Sequence, residues 1–427
     1  MITYMISPFL REISPFRIRK SCHFLKPFLS SQSHELLHRS PFPPNTQSIR
    51  TGHTVSNGYT AFMEQIEQLG DITRLSEHVV RILGQNPGKF TLQGTNTYLI
   101  GTQNPYILVD TAEGKDSYIP LLASALEARS DPSKPDISDI IISHWHHDHV
   151  GGIPSVLSLL KKLWVDRNGD KPYTPPRLHK YPASQESKGG HTTEYNQLPK
   201  LLAQISADQY IHPPTGSVFH DLVDGQTIRT ADGSTVFRVL HTPGHTVDSI
   251  CLYVPQDKAL YTADTVLGHG TAVFEDLATY LASLNKMLHF GSPSHSHDSS
   301  SSGDIDLEYV SLYPAHGAVV TNGRETISTY IKHRLEREEQ VLAVLRSSVP
   351  EELRAESQVG SDPTLWTTWN LVRVIYKSYP ENLWLPAARG IDLHLKKLES
   401  DGALQHAGGE GVESRWRLVS PPRSPSL

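Results

Sequence analysis

Cysteine is almost absent from this chain of 427 residues: only Cys22 and Cys251 occur. Two thiols cannot make a disulfide framework, which fits a reducing compartment, and they exclude zinc held by cysteines. Long hydrophobic runs are missing too. None approaches the roughly 20 residues of a membrane-spanning helix, so the chain reads as soluble, with no membrane partner. An excess of positive charge is also lacking, with 39 Lys and Arg against 45 Asp and Glu and a formal net charge of −6. What is present is apolar residue in quantity, 37% of the chain. That is enough to bury a full core over one large domain with one or two smaller ones appended.

The charge is unevenly spread. Residues 1–62 carry seven Lys and Arg against Glu12 and Glu35, a net of +5 that leaves −11 on the remaining 365 residues. Rich in Ser, Pro and Phe and poor in acids, this opening resembles a transit peptide, whereas "MEQIEQLGDITRL" from Met63 reads like an ordinary start. A working presequence and an unstructured or untranslated leader are both open. The cytosol is the expected location, or the mitochondrial matrix if the leader is a presequence.

Regular organisation begins at Val79. "VVRILG", "NTYLIG" and "YILVDTAEG" are β-branched, apolar runs closed by glycine, which predicts successive strands joined by tight turns. "SYIPLLASALEAR" predicts a helix with Ile119, Leu122 and Leu126 on one face, and "ISDIIIS" a buried strand that delivers His144. Residues 168–190 loosen into a Pro-, Lys- and Gly-rich insertion. Strands resume at "STVFRVLHTPGHT", "SICLYV" and "KALYTADTVLG". Residues 291–304 are low in complexity, and their His295 and His297 read as solvated loop residues rather than ligands. Strand runs flanking helices in two successive halves imply an α/β sandwich.

The chemistry concentrates in "IISHWHHDHVGG" (Ile141 to Gly152), an H-x-H-x-D-H stretch of His144, His146, Asp148 and His149. In extended chain His144 and His146 point the same way and can chelate one cation. Asp148 and His149, past the turn, suit a second. More ligands are needed, and "HTPGHT", "YTADTVLG" and "YPAHG" supply His245, Asp264 and His316 in order, each at the end of an apolar strand pattern. Taken together, these four elements resemble the metallo-β-lactamase superfamily.

The resemblance implies an αββα sandwich with two metals. One would take His144, His146 and His245, the other Asp148, His149 and His316, with Asp264 bridging. Zinc is the expected metal and manganese the alternative, and Asp148 would orient the nucleophile and shuttle its proton. Ala263 and Ala315 stand where glycine is common in the family, which narrows backbone room without removing a ligand. His147, His241 and His269 match no ligand position. Asp110 matches a superfamily position and reads as a buried carboxylate that fixes its neighbours. A catalytic domain over residues 63–325 follows.

Within the superfamily, "NPGKFTLQGTNTYLIG", "VLGHGTAVFEDLATYLASL", "YIKHRLEREEQVL" and "LPAARGIDLHLKKLESDGAL" resemble one subgroup. It holds the lactamase-like acyl carrier protein thioesterases of fungal polyketide pathways and mitochondrial lactamase-like endoribonucleases. A long helix over Thr326–Arg346, with Ile327, Ile331, Leu335, Leu342 and Leu345 on one face, opens a C-terminal part, 326–420, in the order of a winged helix. Such modules bind nucleic acid, but residues 360–419 carry seven Lys and Arg against seven Asp and Glu, so a helical cap over the substrate mouth is the preferred reading. The expected activity is a thioesterase releasing a polyketide product, with an acyl carrier protein as partner. The alternatives are an endoribonuclease on single-stranded RNA, which a true presequence would favour, and a non-enzymatic metal scaffold, which the complete ligand set opposes.

Overall fold

Strand alternation decides the layers. In β4 (Tyr106–Val109), Leu108 turns to one face while Ile107 and Val109 turn to the other; in β5 (Ile137–Ile142), Ile140 and Ile142 are set against Ile141 in the same way. Both faces are apolar because both are covered. Residues 66–128, 131–183, 196–291, 307–356 and 362–419 are described by a computed structural model of the chain.

With β1 (Ile72–Arg74), β2 (Val79–Leu83), β3 (Asn96–Ile100), β6 (Arg177–Lys180) and β7 (His220–Asp221), these strands form a seven-stranded sheet in sequence order. It is antiparallel up to β4 and parallel from β4 to β7. A second, five-stranded sheet runs in the order β12 (Ser311–Pro314), β11 (Ala259–Ala263), β10 (Ile250–Val254), β9 (Val236–His241), β8 (Thr227–Arg229). Its β11 and β12 are parallel and the rest antiparallel.

Between the sheets lies a core of Tyr98, Ile107, Val109 and Ile141 from the first and Phe237, Val239, Leu252 and Tyr261 from the second. On the outer face of the first sheet, Leu122 and Leu126 of α1 (Tyr118–Glu127) and Val156, Leu157 and Leu160 of α3 (Ile153–Asn168) cover Leu108 and Ile140. Beyond the second sheet, Met287 of α5 (Leu277–His289) meets Cys251, an outward residue of β10. The arrangement is the expected four-layer αββα sandwich. A short α2 (His147–Val150) follows β5, and α4 (Leu198–Leu202) precedes β7.

The chain divides into two units, the sandwich up to Glu339 and a second from Gln340 onward. The helix α6 (Gly323–Leu345) runs through that boundary. The second unit contains α7 (Glu351–Glu356), β13 (Trp366–Thr367), α8 (Thr368–Ile375), α9 (Trp384–Ser400), β14 (Leu404–His406) and β15 (Arg415–Leu418). Its core gathers Trp366, Leu371, Ile391, Leu395, Leu404 and Trp416 with Val341 and Leu345 of α6. The three strands pair in the order β13, β15, β14, a wing beside the two helices.

Two details depart from the sequence reading. The insertion expected over 168–190 contains β6, an internal strand paired on both sides. Along α6 the buried residues are Ile327, Tyr330, Val341 and Leu345, and Leu335 is 48% exposed rather than part of an apolar face. The leader 1–62, residues 184–190, and 292–304 with His295 and His297 lie outside the described residues. Among the described residues, no helix is long and apolar enough to cross a membrane.

Candidate metal centre

The strand β5 ends at Ile142 and hands Ser143 and His144 into a turn at the edge of the sandwich. His146 stays extended, with φ −61° and ψ 146°, as the residue before α2, so it points apart from Asp148 and His149 in that helix's first turn. The turn can pass this close to its neighbours because Gly152 follows: a Cβ there would lie 1.9 Å from the Thr111 carbonyl oxygen. His245 sits in the turn between β9 and β10. There Gly244, at φ +126°, lets the chain press against Tyr280, where a Cβ would come within 2.4 Å. Asp264 follows β11, and His316 follows β12.

These seven side chains meet as two groups whose donor atoms all lie within 4.8 Å of one another in each group: His144, His146, His245 and Asp264, and Asp148, His149, His316 and Asp264. In the first, His144 Nε2, His146 Nδ1 and His245 Nε2 form a triangle with sides of 3.0, 3.0 and 3.2 Å. Three donors about 2.0–2.1 Å from one tetrahedral ion stand about 3.3 Å apart, so the triangle fits a zinc-sized ion with little adjustment. In the second, His316 Nε2 is 3.3 Å from Asp148 Oδ2 and 3.2 Å from Asp264 Oδ1. His149 Nε2 is 3.5 and 3.4 Å from the same two oxygens. Asp264 faces both groups: its other oxygen, Oδ2, lies 3.5 Å from His245 Nε2 and 4.0 Å from His144 Nε2.

The remaining ring nitrogens fix the tautomers. His149 Nδ1 donates to Asp110 Oδ2 at 2.8 Å and His245 Nδ1 to the Val273 carbonyl at 2.6 Å, which turns each Nε2 towards the cluster. His144 Nδ1 donates to Ser143 Oγ at 3.0 Å, and Ser143 Oγ passes its own hydrogen to Asp110 at 2.8 Å. Asp110 is fully buried and also accepts from the Ser143 backbone N–H and the Tyr261 hydroxyl. His149 Nε2 and Asp264 Oδ1 are buried without a hydrogen-bond partner. A buried donor set left open in this way is the signature of a cation site.

Electrostatics divide the cluster. Burial and the neighbouring imidazoles hold His144 well below the usual histidine range and push His146 down to about 3, so these two imidazoles are held neutral. Burial acts the same way on His149 and His316, but the carboxylates of Asp148 and Asp264 outweigh it; His149 rises well above its usual value and His316 to about 10. Burial would raise Asp148 and Asp264, yet the same two histidines hold both below the carboxylate range. Protons occupy the half where a cation would be most favoured.

The structure brings together every sequence-derived ligand candidate and leaves the others apart. His241 stacks on Tyr181 at 3.7 Å and bonds the Val247 carbonyl; His147 and His269 join neither group. Ala263 has φ +47°, a left-handed conformation costing an alanine about 1–2 kcal/mol, which gives the physical reason for glycine there. Sequence reasoning missed Ser143, Thr95, Tyr261 and the Val273 carbonyl. Only Ser143, adjacent to His144, left a local signal.

The profile of the metallo-beta-lactamase superfamily matches residues 90–312, about half of the chain. The protein belongs to the metallo-beta-lactamase superfamily. In this superfamily member a beta-lactamase associated winged helix domain also matches residues 367–416. A beta-lactamase-like protein 2 homolog of Drosophila melanogaster is 36% identical over 78% of this chain and 92% of its own length. An atrochrysone carboxyl ACP thioesterase of Claviceps purpurea is 32% identical over 66% of this chain and 70% of that one. Among solved structures, a beta-lactamase domain protein of Burkholderia ambifaria superposes with a TM-score of 0.54 at 17% identity, covering 82% of this chain and 93% of that one. It shares the fold. The coarse chemistry is that of a hydrolase family with His and Asp clusters able to bind metal.

Proposed function

We propose that this protein is a two-cation hydrolase acting on an acyl thioester carried by an acyl carrier protein. His144, His146 and His245 would hold one ion, Asp148, His149 and His316 the other, and Asp264 both. The observation that carries the reading is Asp264, whose two oxygens address different histidine sets. When bound, two divalent ions acidify water and polarise the carbonyl under attack, zinc being the expected metal and manganese the alternative.

The chain's own residues do the rest. Asp148, held in its carboxylate form, orients the attacking water and carries its proton towards the leaving group. Asp110 and Ser143 keep the imidazoles in the tautomer that presents a lone pair. A thiol with a pKa near 8.5 leaves with little protonation, which suits a site with one short-range proton carrier.

Support for the thioester comes from the similarity to the Claviceps purpurea thioesterase and from charge. Residues 63–427 carry −11, where a phosphate-rich partner calls for cations. Phe90 and Val273, both exposed, lie on the two segments that bond the cluster through Gly94 and Val273 itself, and they offer apolar surface to an acyl chain.

The experiment offers zinc- or manganese-loaded protein both an aryl or polyketide thioester on a carrier protein and a single-stranded RNA, following free thiol and RNA fragments separately. Thiol release that His146→Ala abolishes is the expected result. RNA cut by the wild type but not by His146→Ala, with no thiol from any carrier, would replace this reading with the endoribonuclease one.

A further inference from the structure

The two halves of the centre lean on different stretches of chain. The turn from Gly84 to Thr95 reaches the carboxylate-rich half: Thr95 Oγ1 lies 3.4 Å from Asp148 Oδ2, Thr95 makes a backbone bridge with His316, and the Gly94 carbonyl faces His316 Nδ1 at 3.5 Å. The direction of the Thr95 hydroxyl follows from its neighbours. Its backbone N–H donates to Asn86 Oδ1 at 2.8 Å, which fixes the amide's orientation, so Asn86 Nδ2 donates to Thr95 Oγ1 at 3.0 Å. With that lone pair used, the single hydroxyl hydrogen is free to point at Asp148. Next in the chain, Asn96 Nδ2 donates to the carbonyls of Pro314 at 2.9 Å and Gly317 at 2.8 Å, pinning the turn that holds His316 from both sides.

The three-histidine half is supported elsewhere. His245 is oriented by the Val273 carbonyl, and the loop carrying Val273 is held by α6. Tyr330 donates its hydroxyl to the Gly270 carbonyl at 2.9 Å and accepts from the Leu267 N–H at 3.2 Å, but the next residue, Gly268, donates its N–H to the His316 carbonyl at 2.8 Å, so Tyr330 supports both halves. One residue before Val273, the Ala272 carbonyl accepts from Arg334 Nη2 at 3.0 Å, and the guanidinium lies 4.8 Å from the centre of the Phe274 ring.

We propose that, beyond Asp264 and the Ser143–Asp110 pair that both positions share, each cation position has a brace of its own, the Asn86–Thr95 turn setting the affinity of the Asp148–His149–His316 position and Arg334 that of the His144–His146–His245 position. The inference rests on the two-cation reading above. Its consequence is that the ions can be lost one at a time, and the three-histidine position is the one braced by the helix that continues beyond Glu339.

The test strips the full chain with a chelator, refills it with cadmium-113 and records its NMR resonances, with zinc titration by calorimetry alongside. Three nitrogens with one carboxylate deshield cadmium more than two nitrogens with two carboxylates, so the positions are told apart. Thr95→Val is expected to weaken the carboxylate-rich position about ten- to a hundredfold and leave the other unchanged, with Thr95→Ser restoring it. Arg334→Leu, and the milder Arg334→Lys should Arg334→Leu fail to fold, are expected to do the reverse. Variants that weaken both positions alike, or neither, would overturn the proposal. A wild type that takes up a single equivalent would instead overturn the two-cation reading itself.

Discussion

Replacing Asp110 by Asn changes almost no volume and sets donors against donors. Asp110 Oδ1 accepts the Ser143 backbone N–H at 2.8 Å, and Oδ2 accepts His149 Nδ1 and Ser143 Oγ, each at 2.8 Å, together with the Tyr261 hydroxyl. An amide has one oxygen. If its NH2 takes the Oδ1 place it faces a backbone N–H that cannot turn. If it takes the Oδ2 place it faces His149, which escapes only by moving its proton to Nε2, the atom that addresses the cluster. At least one charge-assisted hydrogen bond is lost in either orientation, at about 1.5–3 kcal/mol. That corresponds to a melting point lower by about 5 °C. Thermal unfolding of the metal-free protein and calorimetric titration with zinc measure both effects, and the expected result is a lower melting point with about ten- to a hundredfold weaker binding. An Asp110→Asn protein that melts with the wild type and binds zinc equally would refute the tautomer argument.

Asp139 gives a pH dependence. Burial would raise its pKa, but hydrogen bonds from His179 and Arg177 outweigh it and hold the carboxyl far below the usual range. A depressed value contributes stability that is present above the unfolded pKa of about 3.9 and lost as pH falls through the folded one. In urea unfolding, Asp139→Asn should therefore be weaker than the wild type at pH 7, with the gap closing below pH 4; a gap constant with pH would refute the linkage. Burial pushes the Cys251 thiol up to about 11. Alkylation at pH 7.5, read by peptide mass spectrometry, should leave Cys251 unmodified until the protein is unfolded, and labelling of the native state would contradict its burial.

The ligands were legible because the sequence clusters four of them at one strand end and sets the others after three more apolar strands. The buried apolar run "ISDIIIS" predicts a strand that delivers His144 at its end, which is where it lies. The atoms that do the binding were not legible: His146 faces the cluster through Nδ1 and its neighbours through Nε2, a difference set by its extended backbone ahead of α2. Nor were the partners that fix the ligands, since Thr95 reaches Asp148 across 53 residues and Tyr261 reaches Asp110 across 151. The strand β6 was missed because "RLHK" is short and has a single apolar residue. Its Arg177 and His179 are satisfied by Asp139 of the neighbouring strand, a cross-strand pairing that period-two hydrophobicity does not report. On α6, Leu335 lies about 140° round the helix from Tyr330, away from the buried residues at either end.

Metal content tests the central claim most directly. Elemental analysis of the purified wild type should return two equivalents of divalent metal per chain. Asp264→Asn keeps the shape but removes the charge shared between both donor sets, and it should lose metal and turnover together. A wild type holding one equivalent, or an active Asp264→Asn protein holding two, would contradict the account.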